Sequence, residues 1–305
     1  MLQFILKRLG LALLVALTVS FISFILLFLS GDPASALAGE SATDQDVAAI
    51  RELYGFDRPM LVQYASWLFD ALRGDFGESY YFRLPVASLL AERLQVTMLL
   101  GLCGISFALV TAVPLGVVAA IRPNSMIDRF ALFLSVAGQA LPSFWFGLIL
   151  IVAFSIKLQW LPASGTATWK HFIMPTIVLG YYAMPAIMRL TRGGMLEVLS
   201  SDYIRTARAK GASEGRVMFK HALRNAIIPV VSLAAVQMGF MLGGSIVVES
   251  IFALHGAGYL AWESIARNDL PTVQALILVF SMFYIVFTFL ADVLNAWLDP
   301  RMRAG

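Results

Sequence analysis

Two carboxylates, Glu249 and Asp292, stand at the ends of long apolar runs, and an ionisable group at membrane depth is a functional candidate by default. The chemistry open to such a pair is proton transfer across an apolar barrier. Both sit near run boundaries, where hydrated capping or pairing is cheaper than burial, so they are expected to act as structural or gating residues. Other reactive groups are sparse. His171, His221 and His255 fall in loops or at the ends of apolar runs, which leaves no Ser/His or paired-Asp constellation for an intramembrane hydrolase. The single cysteine, Cys103, lies inside an apolar run, so there is no intrachain disulfide framework or thiolate cage, and a His/Cys metal site is not expected because Cys103 and the histidines fall on different sides or depths. None of the lysines (Lys7, Lys157, Lys170, Lys210, Lys220) sits in a Gly-Lys-Ser/Thr phosphate loop. No catalytic residue and no metal site are expected.

The elements that would hold these groups are membrane spans. The chain has 305 residues, 59 % of them hydrophobic and 13 % charged, against about 25 % charged in a soluble domain. Six apolar stretches, at 9–29, 96–121, 130–156, 172–188, 226–248 and 273–291, are candidates to cross the bilayer, which takes about 20 helical residues for roughly 30 Å of hydrocarbon. The fourth is the shortest and carries Pro175 and Pro185, tolerated where neighbouring helices or water satisfy the freed carbonyls. The expected fold class is all-α, a polytopic membrane protein with six transmembrane helices.

Lys7 and Arg8 before the first stretch, with Arg301 and Arg303 after the last, place both termini in the cytoplasm, as an even number of spans requires. Arg122 and Arg129 then fall inside, while the outer loops at 157–171 and 249–271 hold only Lys157, Lys170 and Arg267. Lys7-Arg8, the apolar run and Ala34-Ser-Ala36 also imitate a cleaved secretory leader. The uncharged run of 21 residues exceeds the usual hydrophobic region of about 7–15, so the first stretch is expected to stay as an anchor.

Residues 31–95 form one sizeable outer segment with ten acids and five arginines. A helix is expected after Thr43, with Val47, Ile50, Leu53 and Tyr54 on one stripe and a stop at Gly55. A second opens at Pro59 and ends near Gly74, with Leu61, Tyr64, Trp67 and Leu68 along a face. Such a segment serves docking or acts as a lid, or else caps the outer ends of the spans.

Residues 189–226 depart most from the lipid-compatible pattern, with eight Lys/Arg against three acids. Ser200 or Ser201 can cap a helix that Gly211 ends. Along it Tyr203, Ala207 and Gly211 share a narrow face, while Arg205, Arg208 and Lys210 occupy others. A second helix starts after Ser213 and runs into the fifth stretch at Pro229. Two short helices meeting at a glycine make a knob suited to a partner's cleft. The alternative, a basic helix lying on anionic lipid, accounts for the arginines but not for small residues at Ala207 and Gly211. In the fifth stretch Gly239 and Gly243 form a Gly-x-x-x-Gly pattern that permits close helix packing.

Seven motifs occur in order: Gly31-Asp-Pro33; Gly55-Phe-Asp-Arg-Pro59 with Gln63-Tyr64 and Gly74-Asp-Phe-Gly77; Ala207-Arg-Ala-Lys-Gly211; His221-Ala-Leu-Arg-Asn-Ala226; Gly243-Gly-Ser-Ile-Val-Val-Glu249; Asp269-Leu-Pro271; and Asp299-Pro-Arg301. On these the chain resembles, over nearly its whole length, the first permease subunit of the dipeptide/oligopeptide/nickel group of bacterial ABC importers. It departs from the general importer pattern at Arg205-Thr206-Ala207, where Glu-Ala-Ala is usual, and at Arg224, where a proline is usual. His255 also stands where relatives usually carry proline.

The resemblance implies a type I importer permease (MetI-like) fold. It implies an N-terminal helix and outer loop over 1–93, a permease core over 94–298 with the coupling segment 189–226, and a cytoplasmic tail at 299–305. Tyr203, Arg205, Ala207, Arg208, Lys210, Gly211, His221 and Asn225 would then couple to an ATPase. The implied partners are a second homologous permease, two ATP-binding cassette ATPase subunits that hold the ATP and Mg, a periplasmic or lipid-anchored solute-binding protein, and membrane lipid. No cofactor in this chain and no nucleic acid are implied. The implied location is the bacterial inner membrane, and the implied cargo is short peptides. Nickel or metallophore chelates, glutathione or opine-like solutes are the alternatives, and a proton-coupled carrier is the distant one.

Overall fold

The computed structural model describes residues 2–29, 32–39 and 42–298. Within them the chain is helical, with no strand beyond one isolated bridge between Glu78 and Pro85. The motif at Gly31 in part, and Asp299-Pro-Arg301 with Arg303 and the 299–305 tail, lie outside the described residues. Five helices are long and apolar enough to cross a membrane: α1 (Leu2–Leu29), α5 (Val86–Ile121), α8 (Ile173–Leu199, reached through a short turn from Trp169), α12 (Ile228–Ile251) and α14 (Leu270–Leu298).

The expected third span is not one continuous helix. It divides into α6 (Met126–Ala140) and α7 (Ser143–Leu150), the latter continued by a π-type turn over Ile151–Lys157. Pro142 causes the division. The residue before a proline is pushed out of the helical region, and Leu141 is extended at φ −84, ψ 124. Hydropathy stays high across the break, which is why composition alone reads one span there.

The core gathers α5, α7, α8 and α12 around Leu100, Ile187, Met188, Leu242 and Phe252, all buried. Gly180 on α8 meets α5 so closely that a Cβ there would lie 2.5 Å from the Gly104 carbonyl oxygen. The expected weak fourth span is therefore among the best packed, and it runs past its apolar part to carry Arg189 and Arg192 beyond it.

The helix boundaries of the outer segment follow expectation, while Leu53, Tyr54 and Leu61 of the expected stripes stay exposed. Helix α2 is short (Pro33–Ala38). Helix α3 (Asp44–Leu53) opens with a capping box between Thr43 and Asp46 and stops before Gly55 at φ +70. Helix α4 (Met60–Leu72) starts after Pro59 and ends before Gly74 at φ +84. It leans on α1, with the Tyr64 hydroxyl 2.7 Å from that of Ser20 and the Phe24 ring packed against Tyr64 and Trp67.

Short helices α9 (Asp202–Ala209), α10 (Glu214–Arg216) and α11 (Leu223–Ala226) form the knob between α8 and α12, with a π-type turn over Val217–Ala222 joining the last two. Helix α13 (Ala257–Ala266) packs among α5, α12 and α14 at the other end. Helix α14 spans the molecule, about 43 Å at helical rise. Its first residues meet the outer segment, and its end meets the start of α1.

Candidate functional site: the knob and the loop-end anchors

The knob has its own small core of Val117, Ala120, Met195, Ile204, Val217, Ala222 and Ala226. Ser201 stands at the N-cap of α9 in an extended conformation, yet its hydroxyl turns back to donate to the Val198 carbonyl at 2.5 Å. Ser200 does the same to Glu197 at 2.7 Å. The expected side-chain cap is thus absent, and Asp202 supplies the acidic group of the first turn.

Gly211 holds φ +79, the left-handed conformation that ends the helix, and nothing lies within 4 Å of where its Cβ would stand. The expected Tyr203/Ala207/Gly211 face divides. Ala207 packs against the knob core, while Tyr203 and Gly211 are exposed. Ala207 is small because the chain folds back after Gly211, with the Ala212 amide donating to the Ala207 carbonyl at 3.2 Å.

The structure brings Tyr203, His221 and Asn225 together: the Asn225 amide donates to the Tyr203 hydroxyl at 2.7 Å and to the His221 carbonyl at 3.3 Å. With Lys220 and Arg224 they line an open cavity of about 560 Å³. Arg208 clasps Glu214 through two bonds of 2.8 and 3.2 Å, which ties α9 to α10 and holds the Glu214 carboxyl below the usual carboxylate range. Arg205 meets only Asp202, at 3.5 Å between exposed groups, a contact worth little. Lys210 is exposed on the last turn.

Sequence reading missed the brace above the knob. Arg192 on α8 grips Asp128 on α6 through two bonds of 2.7 Å, and Asp128 is 2 % exposed. A separation of 64 positions hides the pairing. Its one visible signal is an Asp three residues after Ser125, where Ser125 caps α6.

At the opposite end Glu249 corrects the expectation of a hydrated boundary residue. It is 0 % exposed. The Thr97 hydroxyl donates to it at 2.7 Å and the Tyr259 amide at 2.9 Å, while Thr97 also accepts from the Ala257 amide at 2.8 Å. A Cβ at Gly256 or Gly258 would stand 2.5 or 3.0 Å from the carboxylate, so only glycine admits it. The cause is α13, which occupies what a linear reading takes for loop and covers the end of α12. The Gly256-Ala-Gly258 pattern is the signal for it.

His255 is exposed beside this cluster, edge-on to Tyr259 at 4.9 Å, and its carbonyl accepts from Arg93. Asp269, also buried, accepts from the Ser79 and Thr272 hydroxyls at 2.6 and 2.7 Å and from the Tyr80 amide at 2.9 Å.

Asp292 pairs with Arg8 at 2.9 Å. It lies at the knob end, where the neighbouring Asn295 bonds Ser232 near the start of α12. Glu249 lies near the other end of α12, about 25 Å from Ser232 at helical rise. The two carboxylates therefore form no relay. The two glycines of the Gly-x-x-x-Gly pattern in α12 also differ. A Cβ at Gly239 would meet the Tyr284 ring at 2.9 Å, whereas one at Gly243 would meet nothing within 4 Å. Beside Gly243, Ser143, Tyr182, Gln237 and Gly244 edge an open cavity of about 440 Å³.

Residues 112–304 match the family described as "Binding-protein-dependent transport system inner membrane component", and residues 1–101 match "Binding-prot-dependent transport system membrane comp, N-term". The glutathione transport system permease protein GsiC of Escherichia coli (strain K12) is 40 % identical over 304 residues, covering 99 % of this chain and 99 % of that one. The protein of the same name from Salmonella typhimurium matches to the same extent. A chain of the MetNI methionine ABC transporter, solved in inward-facing conformations, superposes with a TM-score of 0.58 at 19 % identity over 69 % of this chain and 96 % of its own. An amino acid ABC transporter solved with histidines gives 0.50 at 15 % identity, over 70 % and 94 %. These likenesses show the fold, an all-helical MetI-like ABC permease.

Proposed function

The chain belongs to the binding-protein-dependent transport system inner membrane components, as a multi-pass permease subunit of an ABC importer, and from that premise we propose that its cargo is a short peptide, glutathione first among them. The observation that carries the cargo is the 40 % identity, across 99 % of both chains, to a permease named for glutathione transport. A permease of this family is a transport subunit rather than an enzyme, and it works with ATPase and binding-protein partners.

In the assembly we read, a homologous second permease faces the α7, α8 and α12 side of this chain, where Gly243 and the 440 Å³ cavity leave room. Two ATPase subunits bind ATP and Mg. A periplasmic or lipid-anchored binding protein delivers cargo to the outer segment. The 189–226 segment docks in an ATPase cleft through the exposed side of α9 and the Tyr203, His221 and Asn225 cluster. Closure of the ATPases draws the knobs together, and α8, continuous from the core into the knob, passes the motion on. Both termini lie in the cytoplasm.

The test is reconstitution with the cognate subunits and binding protein. Glutathione or a dipeptide is expected to stimulate ATP hydrolysis and to accumulate inside proteoliposomes. Stimulation by a nickel chelate or an opine, with none by peptides, would replace this cargo.

A further inference from the structure

The outer segment closes over a further cavity, distinct from the one at the knob and from the groove along α7, α8 and α12. It lies between α4, the turns at 74–85 and the start of α14, and measures about 360 Å³, within the range of small-molecule sites, about 300–1,000 Å³. Five charged side chains line it: Asp70, Asp75 and Glu78 against Arg58 and Arg83. No two of these five form an ion pair, and the ion pairs of the described residues lie elsewhere. Both signs of charge thus share one cavity without pairing with each other, and of the three carboxylates Asp75 also accepts from the Gly77 amide at 2.9 Å.

Gln274, from the first turns of α14, also lines the cavity; it is 6 % exposed and its amide nitrogen has no hydrogen-bond partner. A buried donor left unpaired is costly, and a native structure that keeps one invites a ligand acceptor. Trp67 adds an aromatic wall, fixed by its contact with Phe24.

We propose that this cavity is a binding site for a small zwitterionic peptide. The carboxylates of Asp70, Asp75 and Glu78 hold its ammonium group. The guanidinium groups of Arg58 and Arg83 and the Gln274 amide hold its carboxylate and carbonyl oxygens. The ligand class rests on the peptide-cargo reading, to which the cavity adds a holding site on the outer segment, upstream of the path between the permeases.

The test is equilibrium dialysis of labelled alanyl-alanine against the full permease–ATPase complex in lipid nanodiscs, at 0.15 M salt and without the binding protein. Saturable binding is expected, weakened about tenfold or more by acetylating the peptide's amino end or amidating its carboxyl end, since each removes a charge-assisted bond. Arg58→Ala and Glu78→Gln, both in exposed loop positions, are expected to weaken it comparably while the complex purifies intact. The absence of saturable binding overturns the site, as does binding indifferent to either blocked end or to both variants. Peptide uptake with the binding protein present, alongside no binding in dialysis, would sink this site and leave the cargo reading standing. Alanyl-alanine binding in a complex that imports only a nickel chelate would do the reverse.

Discussion

Asp128 and Arg192 join α6 to α8 through two parallel bonds of 2.7 Å, with the carboxylate 2 % exposed and the guanidinium partly so. The Asn124 amide completes the carboxylate at 2.9 Å. A buried carboxylate that loses its only cation is expensive, so Arg192→Ala is expected to destabilise the purified permease by about 3 kcal/mol. Arg192→Ala combined with Asp128→Asn is expected to cost less than the single change. Thermal unfolding in detergent, run as a double-mutant cycle, measures this; a strictly additive cycle would show that the pair does not brace these helices.

Glu249 holds α13 against α5 through Thr97 and the Tyr259 amide. Glu249→Ala strands both donors in a buried site, at about 1–3 kcal/mol each. The expected result is faster hydrogen exchange of the Ala257–Ala266 amides, with the knob amides unaffected. Unchanged protection of α13 would remove the anchor role.

Gly211 stands in open space at φ +79, so bulk is free there and only the left-handed backbone is strained. Gly211→Asp is expected to cost about 1 kcal/mol and to leave membrane levels normal. Its added charge should weaken co-purification of the ATPase subunits and abolish solute-stimulated hydrolysis. Arg205→Ala is expected to do far less, because that charge is solvated. Full association and full stimulation in the Gly211 variant would return the knob to a lipid-surface role.

Gly239 and Gly243 of α12 give a paired test. Gly239→Leu drives its side chain into Tyr284 and is expected to lower the amount of folded permease. At Gly243 a Cβ would meet nothing within 4 Å, so for Gly243→Leu folding is expected to stay normal while assembly with the second permease falls. Equal loss of folded protein in both variants would contradict the assignment.

Local signals were legible where a single residue type sets the backbone. Thr43 with Asp46, Pro59, Gly55, Gly74 and Gly211 each mark the helix boundary the structure shows. The break at Leu141–Pro142 was written in the sequence too, but an apolar average conceals it. Burial of Glu249 was not legible, because it depends on α13 folding over a helix end and on a threonine 152 residues away. The Asp128–Arg192 brace escaped for the same reason. Charge content predicted a basic knob correctly, yet it did not tell which face of α9 packs inward; that depends on Ile204 and Ala207 finding a core built by other helices.

The first and last long helices are fastened to each other at one end by Arg8 and Asp292, and Ser79 of the outer segment is fastened to Asp269 at the other. Arg8 and Asp292 are 284 residues apart, which a ribosome adding about 5–20 residues per second takes about 14–57 s to cover. For that interval α1 has no α14 to lean on. It must wait in the bilayer without that partner, and its leucines at positions 6, 9, 11, 13, 14 and 17, still exposed in the finished fold, suit it to that wait. Assembly of this subunit thus closes like a clasp, its opening helix secured only when its closing helix leaves the ribosome.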